Sequence, residues 1–179
     1  ANTPGVTLNG LQPLTTYDVR VKAVCGSESA SQWVNGQFTT DCGQQSLPYE
    51  ESFENFANND DAPLCWSFIN NDGYSATTYP RAYVYNSTTY AHDGAKSLYF
   101  RASNTEYLYA IMPSLRADRV TLNFWYRNAG TTASYGEITV GVMTDPNNEN
   151  SFTALQVLPK TTTLTEVTLN IPNLTNSFI

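Results

Sequence analysis

The sequence contains a single histidine, His92, followed directly by Asp93. An imidazole oriented by a carboxylate is the raw material of general-base catalysis. Residues adjacent in a strand or turn rarely face each other, however, and no nucleophile elbow, phosphate-binding glycine loop or zinc-protease helix motif accompanies the pair. Carboxylates cluster at Glu50, Glu51 and Glu54 and again at Asp60 and Asp61. Cleavage of a glycosidic bond would require two such groups across a cleft at a defined separation. Solvated acidic turns are the commoner use of these residues. The chemistry-bearing residues therefore read as non-catalytic, with a glycoside-active enzyme as the third-ranked alternative.

Cys25, Cys42 and Cys65 are the three cysteines. They lack a C-x-x-C pair and have only one histidine to join them, which disfavours a metal centre. Cys25 lies at the tip of a predicted hairpin and Cys42 beyond its return strand. Eight intervening residues at about 3.4 Å each separate these ends by roughly 27 Å. A disulfide needs Cα atoms about 4.4–6.8 Å apart, so a regular hairpin excludes Cys25–Cys42.

Composition limits the partners. Charged residues are 14% of the 179 residues, and the net charge is −7. The nine Lys and Arg are scattered, so the clustered basic face required for nucleic acid or an anionic membrane is missing. No apolar run approaches the roughly 20 residues that span a bilayer, and the chain opens on polar residues with no signal peptide. It reads as a mature or excised fragment. The abundant Thr, Ser, Asn and Tyr suit strands and turns, and an extracellular surface.

The positioning elements follow from periodicity. Tyr17, Val19, Val21 and Ala23 alternate with Asp18, Arg20 and Lys22, as in a strand with one buried face. Gly26 to Ser31 is a loop, and Val34 to Thr40 a second strand. Leu11, Pro13, Thr15 and Tyr17 precede them at two-residue intervals. This L-x-P-x-T-x-Y pattern, over residues 6–41, resembles the last third of a fibronectin type III domain. That resemblance implies a tyrosine corner, with the Tyr17 hydroxyl bonded to upstream backbone. A plain β-hairpin with a buried Tyr fits the same residues. Residues 1–41 are thus the C-terminal part of one sandwich, 42–46 a polar linker, and 47–179 a second module.

In the second module strands are expected over Leu47–Phe56, Trp66–Ile69, Arg81–Asn86, Leu98–Arg101, Val120–Arg127, Ile138–Val142 and Val167–Ile171. No stretch has a helical period. LPYEESFE, PLCW, INNDG, HDGAKSLYF, VTLNFWYR and ITVGVMTDP, in that order, resemble the MAM-like jelly-roll modules of Bacteroidetes surface proteins, similar to cleaved adhesin domains. The expected class is all-β: a partial fibronectin type III sandwich followed by an antiparallel β-sandwich jelly roll. The family closes with an acidic strand that this chain does not reach, so the jelly roll is incomplete or completed by another polypeptide.

The same resemblance implies a Cys42–Cys65 disulfide. It would close a loop of about two dozen residues, stabilising by about 3 kcal/mol in the chain-entropy model. Cys25 then pairs upstream or is free. The resemblance also implies a structural calcium held by Glu54 and Asp93, with Glu51, Asp72 and Asp145 as weaker ligands. Without calcium, Glu54 is a solvated strand residue and Asp93 sets the turn before Gly94.

Tyrosines crowd the middle of the second module, interleaved with Asn and Thr. Sugars stack on exposed rings, although most strand tyrosines are structural. Tyr74, Tyr79 and Tyr83 are expected to be exposed. Trp125, out of phase with Phe124 and Tyr126, faces the opposite side of its sheet. Asn86-Ser87-Thr88 and Asn173-Leu174-Thr175 match the N-glycosylation pattern, which is coincidental in a bacterial protein. The expected function is a secreted or cell-surface adhesion module for glycan or host or cell-surface protein, beside other domains of its parent. The alternative is a passive spacer.

Overall fold

A computed structural model describes residues 5–24, 26, 29–56, 63–70, 80–102, 107–130, 136–174 and 177–179. The chain forms two compact units, Ala1–Gly43 and Gln44–Ile179. Their boundary falls inside the expected 42–46 linker. Gln45 is already part of the second unit: its N–H donates to Ser114 O at 2.8 Å, and its carbonyl accepts from Arg116 N at 2.8 Å.

The first unit is one antiparallel hairpin, β1 (Thr16–Val21) and β2 (Val34–Thr39). Its register sets Tyr17 opposite Phe38, Val19 opposite Gly36 and Val21 opposite Val34. One face is therefore apolar, and the Tyr17 and Phe38 rings stack on it at 5.8 Å. The other face is polar. Thr16 bonds Thr39 there, and the Gln37 amide donates to Asp18. The expected tyrosine hydrogen bond is present, with Gln12 N donating to the Tyr17 hydroxyl at 2.9 Å. Thr40 Oγ1 donates to Gln12 O, tying the same stretch to the end of β2. Ser31 N donates to Ala23 O, and Val24 bridges Ala30 to close the loop. Cys25 lies outside the described residues.

In the second unit the strands pair as antiparallel two-stranded ribbons, and an isolated parallel bridge joins Gln45 to Leu115. β3 (Ser67–Asn70) pairs with β6 (Leu108–Ile111), and β4 (Arg81–Asn86) with β5 (Lys96–Arg101). β7 (Val120–Tyr126) pairs with β10 (Thr165–Ile171), and β8 (Ile138–Met143) with β9 (Phe152–Leu158). One 3-10 turn, Glu149–Ser151, leads into β9. The class is all-β, and no helix among the described residues is long and apolar enough to cross a membrane.

The core lies between two ribbons. The inner face of β7–β10 carries Val120, Leu122, Phe124, Tyr126, Val167, Leu169 and Ile171. It packs on Ile138, Val140 and Val142 of β8, with Leu158, Leu115, Leu174 and Ile179. The buried polar groups here are satisfied. Tyr126 donates to Pro159 O at 2.7 Å, and Asn128 exchanges bonds with the Thr161 backbone. The expected Cys42–Cys65 disulfide is formed.

Three strand expectations need correction. Leu47–Phe56 is not a strand. Glu51 Oε1 accepts from Phe53 N at 2.6 Å, and Ser52 Oγ accepts from Glu54 N. Such local side-chain bonds compete with a ladder, and Phe53 turns to φ 63°. β6 and β9 were not expected. β6 has only four residues. In β9 the register passes from Gly141–Ala154 to Val140–Gln156. Leu155 is therefore an extra, bulged residue that breaks the period-two pattern.

Replacing Tyr17 with Phe removes the partner of Gln12 N. The loss of about 1 kcal/mol corresponds to a roughly fivefold faster hydrogen exchange at the Gln12 amide, measured by NMR. An unchanged rate would show that the hydroxyl does not hold this corner.

Candidate binding surface

Glu54 and Asp93 meet the same loop, but their carboxylates bond different groups. Gly94 sits between them at φ +67°, a conformation glycine adopts freely. Its bare Cα leaves room for the Glu54 carboxylate: an added Cβ would lie 2.6 Å from Glu54 Oε1. That oxygen accepts from Ala95 N at 2.9 Å and Lys96 N at 2.7 Å. The Lys96 ammonium donates to the backbone carbonyls of Glu54 and Phe56. Asp93 instead pairs with His92 Nδ1 at 2.8 Å and is otherwise in solvent.

This arrangement fits calcium poorly. The ion takes six to eight oxygens, and among the described residues no three acidic, His or Cys side chains converge. Two carbonyls that could face an ion already hold the Lys96 ammonium, whose charge would repel one. Glu51 is engaged with Phe53 N, and Asp145 caps its own turn through Asn147 N. Asp72, Asp60 and Asp61 lie outside the described residues.

The tyrosine expectations divide. Tyr74 and Tyr79 lie outside the described residues. Tyr83 is 8% exposed, which corrects its placement at the surface. It lies edge-on to Tyr99 at 5.4 Å and to Tyr85 at 6.2 Å, with the Arg81 guanidinium over its ring. Ala82, Tyr83 and Val84 are all buried. This strand is covered on both faces, and such burial leaves no alternation to read.

Trp125 is where the sequence placed it, on the outer face of β7. It is 41% exposed. Thr121 and Asn123 share that face, as do Glu166, Thr168 and Asn170 from β10. Cross-strand bonds order these groups: Thr121 Oγ1 donates to Asn170 Oδ1 at 3.0 Å, and Asn123 Nδ2 to Glu166 Oε1 at 3.1 Å. The His92 ring stacks on Trp125 at 4.1 Å and 16°. Asp93 holds that imidazole, and Arg127 anchors the same loop through Thr89 O and the Tyr90 ring. Glu166 and Thr168 also border a cleft of about 420 Å³ with Gln156, Thr161 and Thr165.

The result is a polar face with one half-covered indole towards one end of its ribbon, bordered by a cleft. The role of His92 was not legible in the sequence. Its contact with Trp125 joins positions 33 residues apart, and no local pattern encodes it. In place of a nucleophile, its hydrogen-bond partner among the described residues is Asp93. Compared with known proteins, the chain matches no protein-family model, no curated protein and no solved structure.

Gly94→Ala combines a left-handed backbone with a clash against Glu54, and should destabilise the second unit by about 1–3 kcal/mol. Truncating Glu54 to Ala in the same chain should recover part of that loss in a double-mutant cycle followed by urea unfolding. Strict additivity would show that the two do not meet. Calcium should move the melting temperature by less than about 2 °C. An ion at ten times its Kd would stabilise by about 1.4 kcal/mol and raise the midpoint measurably. A larger rise, reversed by chelator, would restore the ion to this loop.

Proposed function

We propose that this chain is a non-catalytic binding part of an extracellular, adhesin-type surface or secreted bacterial protein, and that it recognises glycan on the outer face of β7–β10. Trp125 carries the reading. A sugar ring presents an apolar C–H face together with hydroxyls. The indole offers a flat apolar surface, and Asn123, Glu166, Thr168 and Asn170 offer donors and acceptors around it. His92 already covers one side of the indole and limits its motion, so less freedom is lost on binding. The disulfide suits an oxidising compartment.

Module identity belongs to the same proposal. The Gln12–Tyr17 hydrogen bond supports a fibronectin type III end for residues 1–41. The face-to-face packing of β7–β10 on β8 supports a jelly-roll sandwich for residues 47–179. Catalysis has little to favour it, since His92 is committed to Trp125 and Asp93.

A glycan array followed by calorimetry on the best ligand tests the reading. Trp125→Ala should weaken binding at least tenfold, about 1.4 kcal/mol or more, as for a central aromatic contact. His92→Ala should weaken it less. Absence of binding to any glycan would favour the passive spacer, and binding indifferent to Trp125→Ala would move the site elsewhere.

A further inference from the structure

Glu166 belongs to both parts of the polar surface. It stands directly opposite Trp125 in the β7–β10 register, which puts their Cβ atoms about 5 Å apart on the outer face. It also lines the cleft of about 420 Å³, together with Gln156, Thr161 and Thr165. One carboxylate is thus shared by the indole and the cleft.

That carboxylate has no cation from its own chain. Its Oε1 accepts from Asn123 Nδ2 at 3.1 Å, and among the described residues no Lys or Arg pairs with it. Arg127, two residues beyond Trp125, is directed elsewhere. Its Nη1 donates to Thr89 O at 3.1 Å, and its guanidinium lies over the Tyr90 ring at 5.1 Å. A carboxylate can accept about four hydrogen bonds, so most of the accepting capacity of Glu166 is open.

The hydroxyls around it already direct their protons into the chain. Tyr126 donates to Pro159 O at 2.7 Å, Thr161 to Thr163 O at 3.2 Å and Thr165 to Thr163 O at 2.9 Å. On the outer face Thr121 donates to Asn170 Oδ1 at 3.0 Å. A hydroxyl has one proton and two lone pairs, so these groups meet a ligand as acceptors. The surface therefore combines one negative charge, an excess of acceptors and an aromatic face. A carboxylate or sulfate group on a ligand would bring only further acceptors and like charge. A neutral hydroxyl brings one donor. An ammonium brings three donors and the opposite charge, and an indole attracts a cation over its face.

We propose that the ligand of this face is an amino sugar whose amine is unacetylated, with its ammonium beside Glu166, its ring on Trp125 and the adjoining sugar in the cleft. This rests on the glycan reading of the same face and narrows it from glycans in general to basic ones. Glu166 sets the specificity, and Trp125 supplies the platform. A lysine side chain would also satisfy the carboxylate, but its narrow stem leaves the acceptors of the cleft unfilled. A sugar chain brings hydroxyl donors spaced around each ring.

The test is calorimetry on the whole chain with a glucosamine hexamer, its fully N-acetylated counterpart and a hexalysine peptide, in mildly acidic buffer that keeps the amines protonated. The free-amine hexamer should bind at least tenfold more tightly than the acetylated one. Glu166→Gln keeps the shape and an acceptor for Asn123, and should reduce that preference to threefold or less. Glu149→Gln, at an exposed carboxylate in the 3-10 turn before β9, removes the same charge and should leave the preference intact. Trp125→Ala should weaken the free-amine hexamer at least tenfold. No preference for the free amine, or a preference that survives Glu166→Gln, overturns the assignment. An equal loss in Glu149→Gln reveals diffuse attraction to an acidic protein and overturns it as well. Hexalysine bound as tightly as the glucosamine hexamer, and as dependent on Glu166, overturns the amino sugar in favour of a basic peptide. A neutral or acidic glycan preferred through Trp125 overturns this specificity and leaves the glycan reading standing, whereas binding of no glycan at all removes both.

Discussion

The register between β7 and β10 is the constraint on which the second unit rests. Phe124 lies opposite Val167, Leu122 opposite Leu169 and Val120 opposite Ile171. A slip of one residue would turn the apolar set of one strand to the solvent side while that of the other stayed inward. In the observed register they form one apolar sheet face and meet Ile138, Val140 and Val142 of β8. The same register sends Thr121, Asn123 and Trp125 outward. The polar face is thus the obligatory reverse of the core, and Trp125 cannot leave that face without the core residues of its own strand leaving theirs.

The sequence was most legible where one face is wet. β7 and β10 alternate cleanly, because solvent on one side and core on the other impose a period of two. Trp125 was placed correctly by that alternation alone. Legibility failed for three different physical reasons. β4 is covered on both sides, so Tyr83 looked no different from an exposed tyrosine. β9 carries the bulged Leu155, which shifts its phase partway along. In residues 47–56 the short side chains of Glu51 and Ser52 bond the local backbone and divert an apparently strand-like run into a turn.

Charge explains less of the site than the acidic composition suggests. Glu54 is spent on two amides beside Gly94, and Lys96 holds the neighbouring carbonyls. This interior cross-link, made from the chain's own ammonium group, performs the joining that a divalent ion would otherwise perform between segments distant in sequence. Asp93 is displaced from that role and becomes a support for His92. One short loop, from Thr89 to Lys96, therefore has two separate tasks. Its glycine end locks to Glu54, and its histidine end covers Trp125.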